Sequence, residues 1–292
     1  MKFTYYLFLA FTKLFAIMPF WLLYGFSDVL RFIFYYIIPY RKKVIFGNIS
    51  RSFPDMTEKE KKVMVKLFYK NLCVIILEGI KGVSMETEEL AKRYKFLNPE
   101  VMNAYFEKGQ DIISVGAHYA NWEWGIIAAP CQLKHKIFAF YMPLSNKLID
   151  ANMRNTRKKY GTELVPKTEV RKAFSSKKDR PATYFFGADQ SPSNIKGVHW
   201  TTFLNQDTAC QKGHEFFAKH YDLPVIYFDV RRIKRGYYTV KLIVLEERSG
   251  ATVSGEITEK YMRLLEKIII EKPEDYLWSH KKWKHKKPQT VN

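Results

Sequence analysis

The chain has little cysteine and far fewer acidic than basic side chains, and each shortage narrows what it can be. Only Cys73, Cys131 and Cys210 occur among 292 residues. No C-x-x-C pair is present, which argues against a disulfide framework and a cysteine-rich zinc site. The seven histidines form no H-E-x-x-H pattern, so a zinc hydrolase helix is not expected. A G-x-S-x-G nucleophile elbow is missing too, which removes the usual serine nucleophile. No internal repeat, low-complexity tract or Gly/Ser-rich linker divides the chain, and its length suits one or two domains.

Hydrophobic residues make up 47% of the chain and aromatic residues 16%, ample for a sizeable core. Lys and Arg number 48 against 29 Asp and Glu, a net charge of +19. That surplus favours an anionic partner such as nucleic acid, an anionic membrane surface or an acidic substrate or carrier.

Residues 1–40 carry four charged side chains, Lys2, Lys13, Asp28 and Arg31. The charge-free run 14–27 gives about 21 Å of helix, short of a hydrocarbon core of roughly 30 Å. If Lys13 snorkels, 5–27 is long enough to span. A second apolar run, 32–38, stops before Pro39. The apolar region is too long for a secretory signal and no small-x-small site follows it. The basic triplet Arg41-Lys42-Lys43 suits an anionic leaflet. Residues 1–40 are therefore expected to be a membrane anchor, a transmembrane helix or an interfacial one, and 41–292 the catalytic domain. A buried helical hairpin of a soluble protein is the plainer alternative.

Further on, 57–81 reads as helix ending at Gly82, and 88–94 and 99–108 continue in that style. Strands are expected at 112–115, 137–140, 163–165, 182–186, 225–230 and 238–245. Helices are expected from Asn121 and at 146–160, 169–175, 208–220 and 258–271. Strands separated by helices imply crossover connections. The expected fold class is α/β, a mainly parallel or mixed sheet flanked by helices.

The run Gly116-Ala117-His118-Tyr119-Ala120-Asn121-Trp122-Glu123-Trp124-Gly125 is the sharpest chemical signal. His118 falls just past a strand end, where open α/β sheets place their chemistry. On one helix His118 and Glu123 would stand about 140° apart. They meet only if His118 lies in the turn and Glu123 in the first helical turn, with Asn121 as cap. The carboxylate would then fix the imidazole tautomer and leave the other nitrogen as general base. With no enzyme nucleophile evident, the substrate's own hydroxyl would attack, and acyl transfer is the natural class.

This H-x₄-E pattern resembles that of the glycerolipid-type acyltransferases. More narrowly, the chain resembles the lipid A biosynthesis acyltransferases, the late lauroyl/myristoyl transferase family. Supporting matches are Tyr40-Arg41-Lys42-Lys43 with Asn48 and Ser52-Phe53-Pro54, the helix from Asn146 to Gly161, and Gly187-Ala188-Asp189-Gln190. The closing run from Pro273 to Lys284 matches as well, although Lys281-Lys282 stand where arginines are usual and Trp283 where Phe is usual.

The resemblance implies a fatty acyl chain moved from acyl carrier protein to a hydroxyl of a lipid A precursor, at the cytoplasmic face of the inner membrane. His118 would be the base and Glu123 its orienting acid, without cofactor or metal. Arg157 is the foremost anion-binding candidate and Arg154, three residues earlier, the lesser one. Asp189 and Gln190 would orient substrate or brace Arg157. His199 reads as a loop histidine, and Thr208 as a helix cap. A lysophospholipid or aminolipid acceptor is the alternative within acyl transfer. Outside it stands a membrane-tethered basic binding module, which no nucleic-acid-binding motif accompanies.

Overall fold

A computed structural model describes residues 2–288. In chain order the elements are α1 (Lys2–Ile17), α2 (Phe20–Phe32), α3 (Lys42–Ser52), α4 (Glu58–Lys81), α5 (Thr87–Arg93), β1 (Tyr94–Phe96), α6 (Glu100–Glu107), β2 (Ile112–Gly116), α7 (Trp122–Ala128), β3 (Lys136–Tyr141) and α8 (Lys147–Lys159). They continue as β4 (Thr162–Pro166), α9 (Val170–Ser175), β5 (Ala182–Gly187), β6 (His199–Phe203), β7 (Gln206–Cys210), α10 (Gly213–Tyr221), β8 (Val225–Lys234), β9 (Tyr237–Glu246) and α11 (Glu256–Glu271).

Seven strands form one sheet in the order β1-β9-β8-β2-β5-β3-β4. Every neighbouring pair is parallel except the β8–β9 hairpin. This is the expected α/β fold. The central strand β2 is buried at all five positions, as a strand covered on both faces must be. The antiparallel pair turns through Arg235 and Gly236, whose φ is +77°.

The longest described helix, α4, begins with a capping box in which Thr57 and Glu60 satisfy each other's backbone donors. Its buried residues, among them Phe68, Tyr69, Leu72 and Ile75, carry it across the core.

Three expectations are corrected here. Residues 5–27 are not one helix, because the chain breaks at Met18-Pro19 and α2 restarts after Pro19. Proline has no N–H to continue a helix and fits its start. Among the described residues, the stretch long and apolar enough to cross a membrane is Phe20–Ile37. Second, 208–220 is not one helix. Thr208 lies in β7, paired antiparallel with β6 through a turn whose Leu204 and Asn205 both have positive φ, and α10 begins only at Gly213. Third, the short strand β1 separates the two helices read at 88–108.

Candidate active site

Two parallel neighbours deliver the site. Strand β2 ends at Gly116 and β5 at Gly187, and the register sets these glycines side by side. His118 and Asp189 each follow two residues later, so the topology brings them together. His118 Nδ1 lies 2.7 Å from Asp189 Oδ1. The glycines make room for this. A Cβ at Gly187 would stand 3.3 Å from His118 Cε1, and one at Gly116 would meet the Phe185 ring at 2.6 Å.

The loop carrying His118 is strapped by the C-terminal segment. Ala120, at φ +49°, donates its N–H to the Asp275 carbonyl at 2.9 Å, and Leu277 N–H donates to the His118 carbonyl at 3.1 Å. Tyr119 is buried, and its hydroxyl donates to the Lys272 carbonyl at 2.9 Å. Asn121 caps α7 by accepting from Trp124 N–H at 2.9 Å, as expected from sequence. The Asn121 amide also donates to fully buried Glu78 at 2.8 Å. The Trp122 ring meets the imidazole edge-on, with centroids 5.2 Å apart.

Burial works against charging His118, but the charge and hydrogen bond of Asp189 outweigh it, with a smaller contribution from Glu123. The imidazole pKa is therefore raised. Asp189 is buried, which by itself would raise its pKa, yet the charge and hydrogen bond of His118, aided by Lys282, hold it below the ordinary carboxylate value. Lys282 also donates to the Asp189 backbone carbonyl. Gln190 Nε2 lies 3.1 Å from His118 Nε2, the nitrogen away from Asp189. The neighbouring His280 is pushed down to about 4, chiefly by burial, and its Nε2 accepts from Ser191 N–H at 3.0 Å.

The carboxylate on the imidazole is thus that of Asp189 and not of Glu123. Glu123 does lie in the first turn of α7, but its Oε2 accepts from Arg157 at 2.9 Å. The His–Glu pair expected from spacing is replaced by two pairs, His118–Asp189 and Glu123–Arg157. Asp189 braces the histidine where it was expected to orient substrate or brace the arginine.

His118 and the Glu123–Arg157 pair border one cavity of about 290 Å³, lined also by Lys167 and Gln190 together with Ile126, Phe140, Met142, Met153, Leu164 and Phe185. Arg154 is exposed and does not line it. A narrow apolar slot of about 30 Å³, walled by Tyr94, Ala129, Ile137 and Phe228, shares Gly116, Trp122, Ile126, Ala139 and Phe185 with the cavity. His199 lies on β6, not in a loop, and pairs with Glu259 at 2.9 Å. The Thr208 hydroxyl caps no helix; it donates to the Gln206 carbonyl and accepts from the Trp283 indole. Sequence reasoning missed Lys167 and Glu78. The signal for Lys282 and His280 was present in the closing basic and aromatic run.

Residues 1–285 match the family described as Bacterial lipid A biosynthesis acyltransferase. The chain is 22% identical over 245 residues to the lipid A biosynthesis lauroyltransferase of Escherichia coli K12, covering 84% of this chain and 79% of that one. It is 20% identical over 247 residues to the palmitoleoyltransferase of the same strain, with the same coverage. A Haemophilus influenzae lipid A biosynthesis acyltransferase is 23% identical over 240 residues, 81% of this chain and 75% of its own. With the match running through the His118 loop, the Asp189 turn and the closing segment, the chain belongs to the bacterial lipid A biosynthesis acyltransferase family.

Proposed function

We propose that the chain transfers a fatty acyl group from the thioester of acyl carrier protein to a hydroxyl of a lipid A precursor, with His118 as base. The observation that carries this reading is an imidazole fixed at Nδ1 by a buried carboxylate, with Nε2 beside a cavity that has apolar walls and one arginine. The Nδ1–H donates to Asp189, so the Nε2 lone pair is the free base. Gln190 holds that nitrogen until the acceptor hydroxyl displaces it.

The hydroxyl proton then passes to Nε2 as its oxygen bonds to the thioester carbonyl carbon. Negative charge collects on the carbonyl oxygen, where Arg157, held by Glu123, supplies a fixed positive charge. Collapse breaks the carbon–sulfur bond, and the imidazolium returns the proton to the leaving thiolate. Asp189 stabilises the imidazolium between the two transfers. The donor's alkyl tail lies along the apolar wall of the 290 Å³ cavity, formed by Ile126, Phe140, Met142, Met153, Leu164 and Phe185. The net charge of +19 favours an acidic carrier as donor. We place the enzyme on the cytoplasmic face of the inner membrane, attached through residues 1–40, with 41–292 as the catalytic domain.

The test is to incubate membranes containing the wild-type chain, or His118→Ala at matched abundance, with acyl carrier protein loaded with a labelled acyl chain and with total host lipid. Mass spectrometry should show one acyl group added to a lipid A species and lost with His118→Ala. Label on a phospholipid or aminolipid would keep the chemistry and overturn the acceptor. No acylated lipid from folded enzyme would overturn the reaction.

A further inference from the structure

The C-terminal half of α1 and the whole of α2 are folded onto the rest of the chain. Thr12, Met18, Leu23 and Ser27 face inward and are buried, and Met18, Leu23 and Leu77 form a small core with Phe15, Phe20 and Ile80. Polar clamps hold the pair down. The Lys81 ammonium donates to the Ala16 and Met18 carbonyls at the end of α1. The Tyr24 hydroxyl donates to Glu78 at 3.0 Å. Arg235, at the β8–β9 turn, makes two bonds to Asp28 at 3.2 and 3.0 Å, and Arg93 lies over the Phe20 ring at 3.7 Å. The turn itself is shaped for α2, because a Cβ on Gly236 would stand 2.1 Å from the Tyr24 hydroxyl.

The opposite faces are apolar and bare. Phe3, Phe11 and Ile17 of α1 and Trp21, Val29 and Phe32 of α2 are each 50–83% exposed. A surface of this kind on a charged protein marks an apolar partner. Exposed Lys13, Arg31 and Lys43 flank it, as suits anionic headgroups. Length argues against crossing only for α1, whose 16 residues give about 24 Å against a core of roughly 30 Å; the 18 residues of Phe20–Ile37 are long enough to cross. More decisively, α2 cannot cross while Asp28, Tyr24 and Phe20 are held, since their partners Arg235, Glu78 and Arg93 would have to enter hydrocarbon with it.

We infer that α1 and α2 lie flat in one leaflet of an anionic bilayer and do not cross it. This rests on the membrane-anchoring part of the reading above and not on the acyl-transfer chemistry. It also sets the active site. α1 packs on α8, which carries Arg157, and exposed Met142, which lines the cavity, stands just before α8 together with exposed Leu144. This side of the cavity therefore borders the same leaflet, and a lipid acceptor reaches His118 without leaving the membrane surface.

The test uses the full chain with Cys131→Ser, which removes the exposed thiol, and one cysteine introduced at a time: Lys2→Cys, Pro19→Cys or Val253→Cys. A membrane-impermeant maleimide is applied to intact spheroplasts and to broken membranes. All three positions should stay unlabelled in spheroplasts and react together once membranes are broken. Lys2 or Pro19 labelled from the face opposite Val253 would overturn the flat arrangement, whether one helix crosses or both do. Vesicles of phosphatidylglycerol and phosphatidylethanolamine should carry the purified wild type down on sedimentation, and Trp21→Glu with Val29→Glu should lower the bound fraction at least tenfold. A wild type that stays in the supernatant would overturn the lipid partner without touching the question of acyl transfer.

Discussion

At the scale of single residues, the account turns on which carboxylate serves His118. Removing the base, His118→Ala, should slow acylation by roughly 10²–10⁴-fold. Asp189→Asn should cost nearly as much, because the amide no longer fixes the tautomer or stabilises the imidazolium. Glu123→Gln should act through Arg157 instead. It loosens the guanidinium, and its loss should resemble a weakened Arg157→Met, itself expected to cost roughly 10²-fold. Initial rates of the four purified variants at saturating donor check this ordering. Arg154→Met should leave the rate unchanged, since its side chain stays outside the cavity. The sequence made His118 and Glu123 conspicuous through their spacing, and Asp189 through its place after a strand. It did not say which pair would bond. That depends on the β2–β5 register, which sets Gly116 beside Gly187, and register lies in pairing across 71 residues of chain.

At the scale of elements, the polar knot around Glu78 ties three parts of the fold together. Its carboxylate accepts from Tyr24 on α2, Asn121 at the start of α7 and Tyr238 on β9. Burial raises the Glu78 pKa, and the nearby Arg232 charge and the three donors pull the other way. Glu78→Ala should lower stability by about 3–5 kcal/mol, since it leaves the buried Asn121 and Tyr238 donors, and that of Tyr24, without a partner. Tyr24→Phe, losing one hydrogen bond, should cost only about 0.5–1.5 kcal/mol. Thermal unfolding in detergent measures both. The alternating strands and helices were legible because buried parallel strands read as short apolar runs. The β6–β7 hairpin was not legible. Its strands carry no clean alternation, and the turn places Leu204 as well as Asn205 at positive φ, where only the asparagine gives a signal. The break between α1 and α2 has a signal in Pro19, which a reading by charge alone passes over.

At the scale of the whole molecule, most of the positive surplus lies on the surface; at the site two carboxylates, Asp189 and Glu123, stand among His118, Arg157, Lys167 and Lys282. Its effect should therefore fall on encounter. The rate at low concentrations of acyl carrier protein should drop as salt rises across the range where the Debye length shrinks from about 30 Å to 8 Å, while the rate at saturation stays constant. Steady-state kinetics at several ionic strengths separate the two. The composition announced an anionic partner from the outset, but said nothing of how the apolar faces of α1 and α2 are turned outward, because that follows from the clamps to Lys81, Glu78 and Arg235.

The central claim, that His118 is a base tuned by Asp189, is tested most directly by the pH dependence of kcat/KM for wild type, Asp189→Asn and Glu123→Gln. A base must be neutral, so activity falls as pH drops through the His118 pKa, which Asp189 raises. Losing that carboxylate should move the acid limb to lower pH as the plateau falls, whereas Glu123→Gln, removing only the smaller contribution, should shift the limb less. If instead Glu123→Gln moves the acid limb and Asp189→Asn leaves it in place, the assignment of Asp189 as the partner of His118 is wrong.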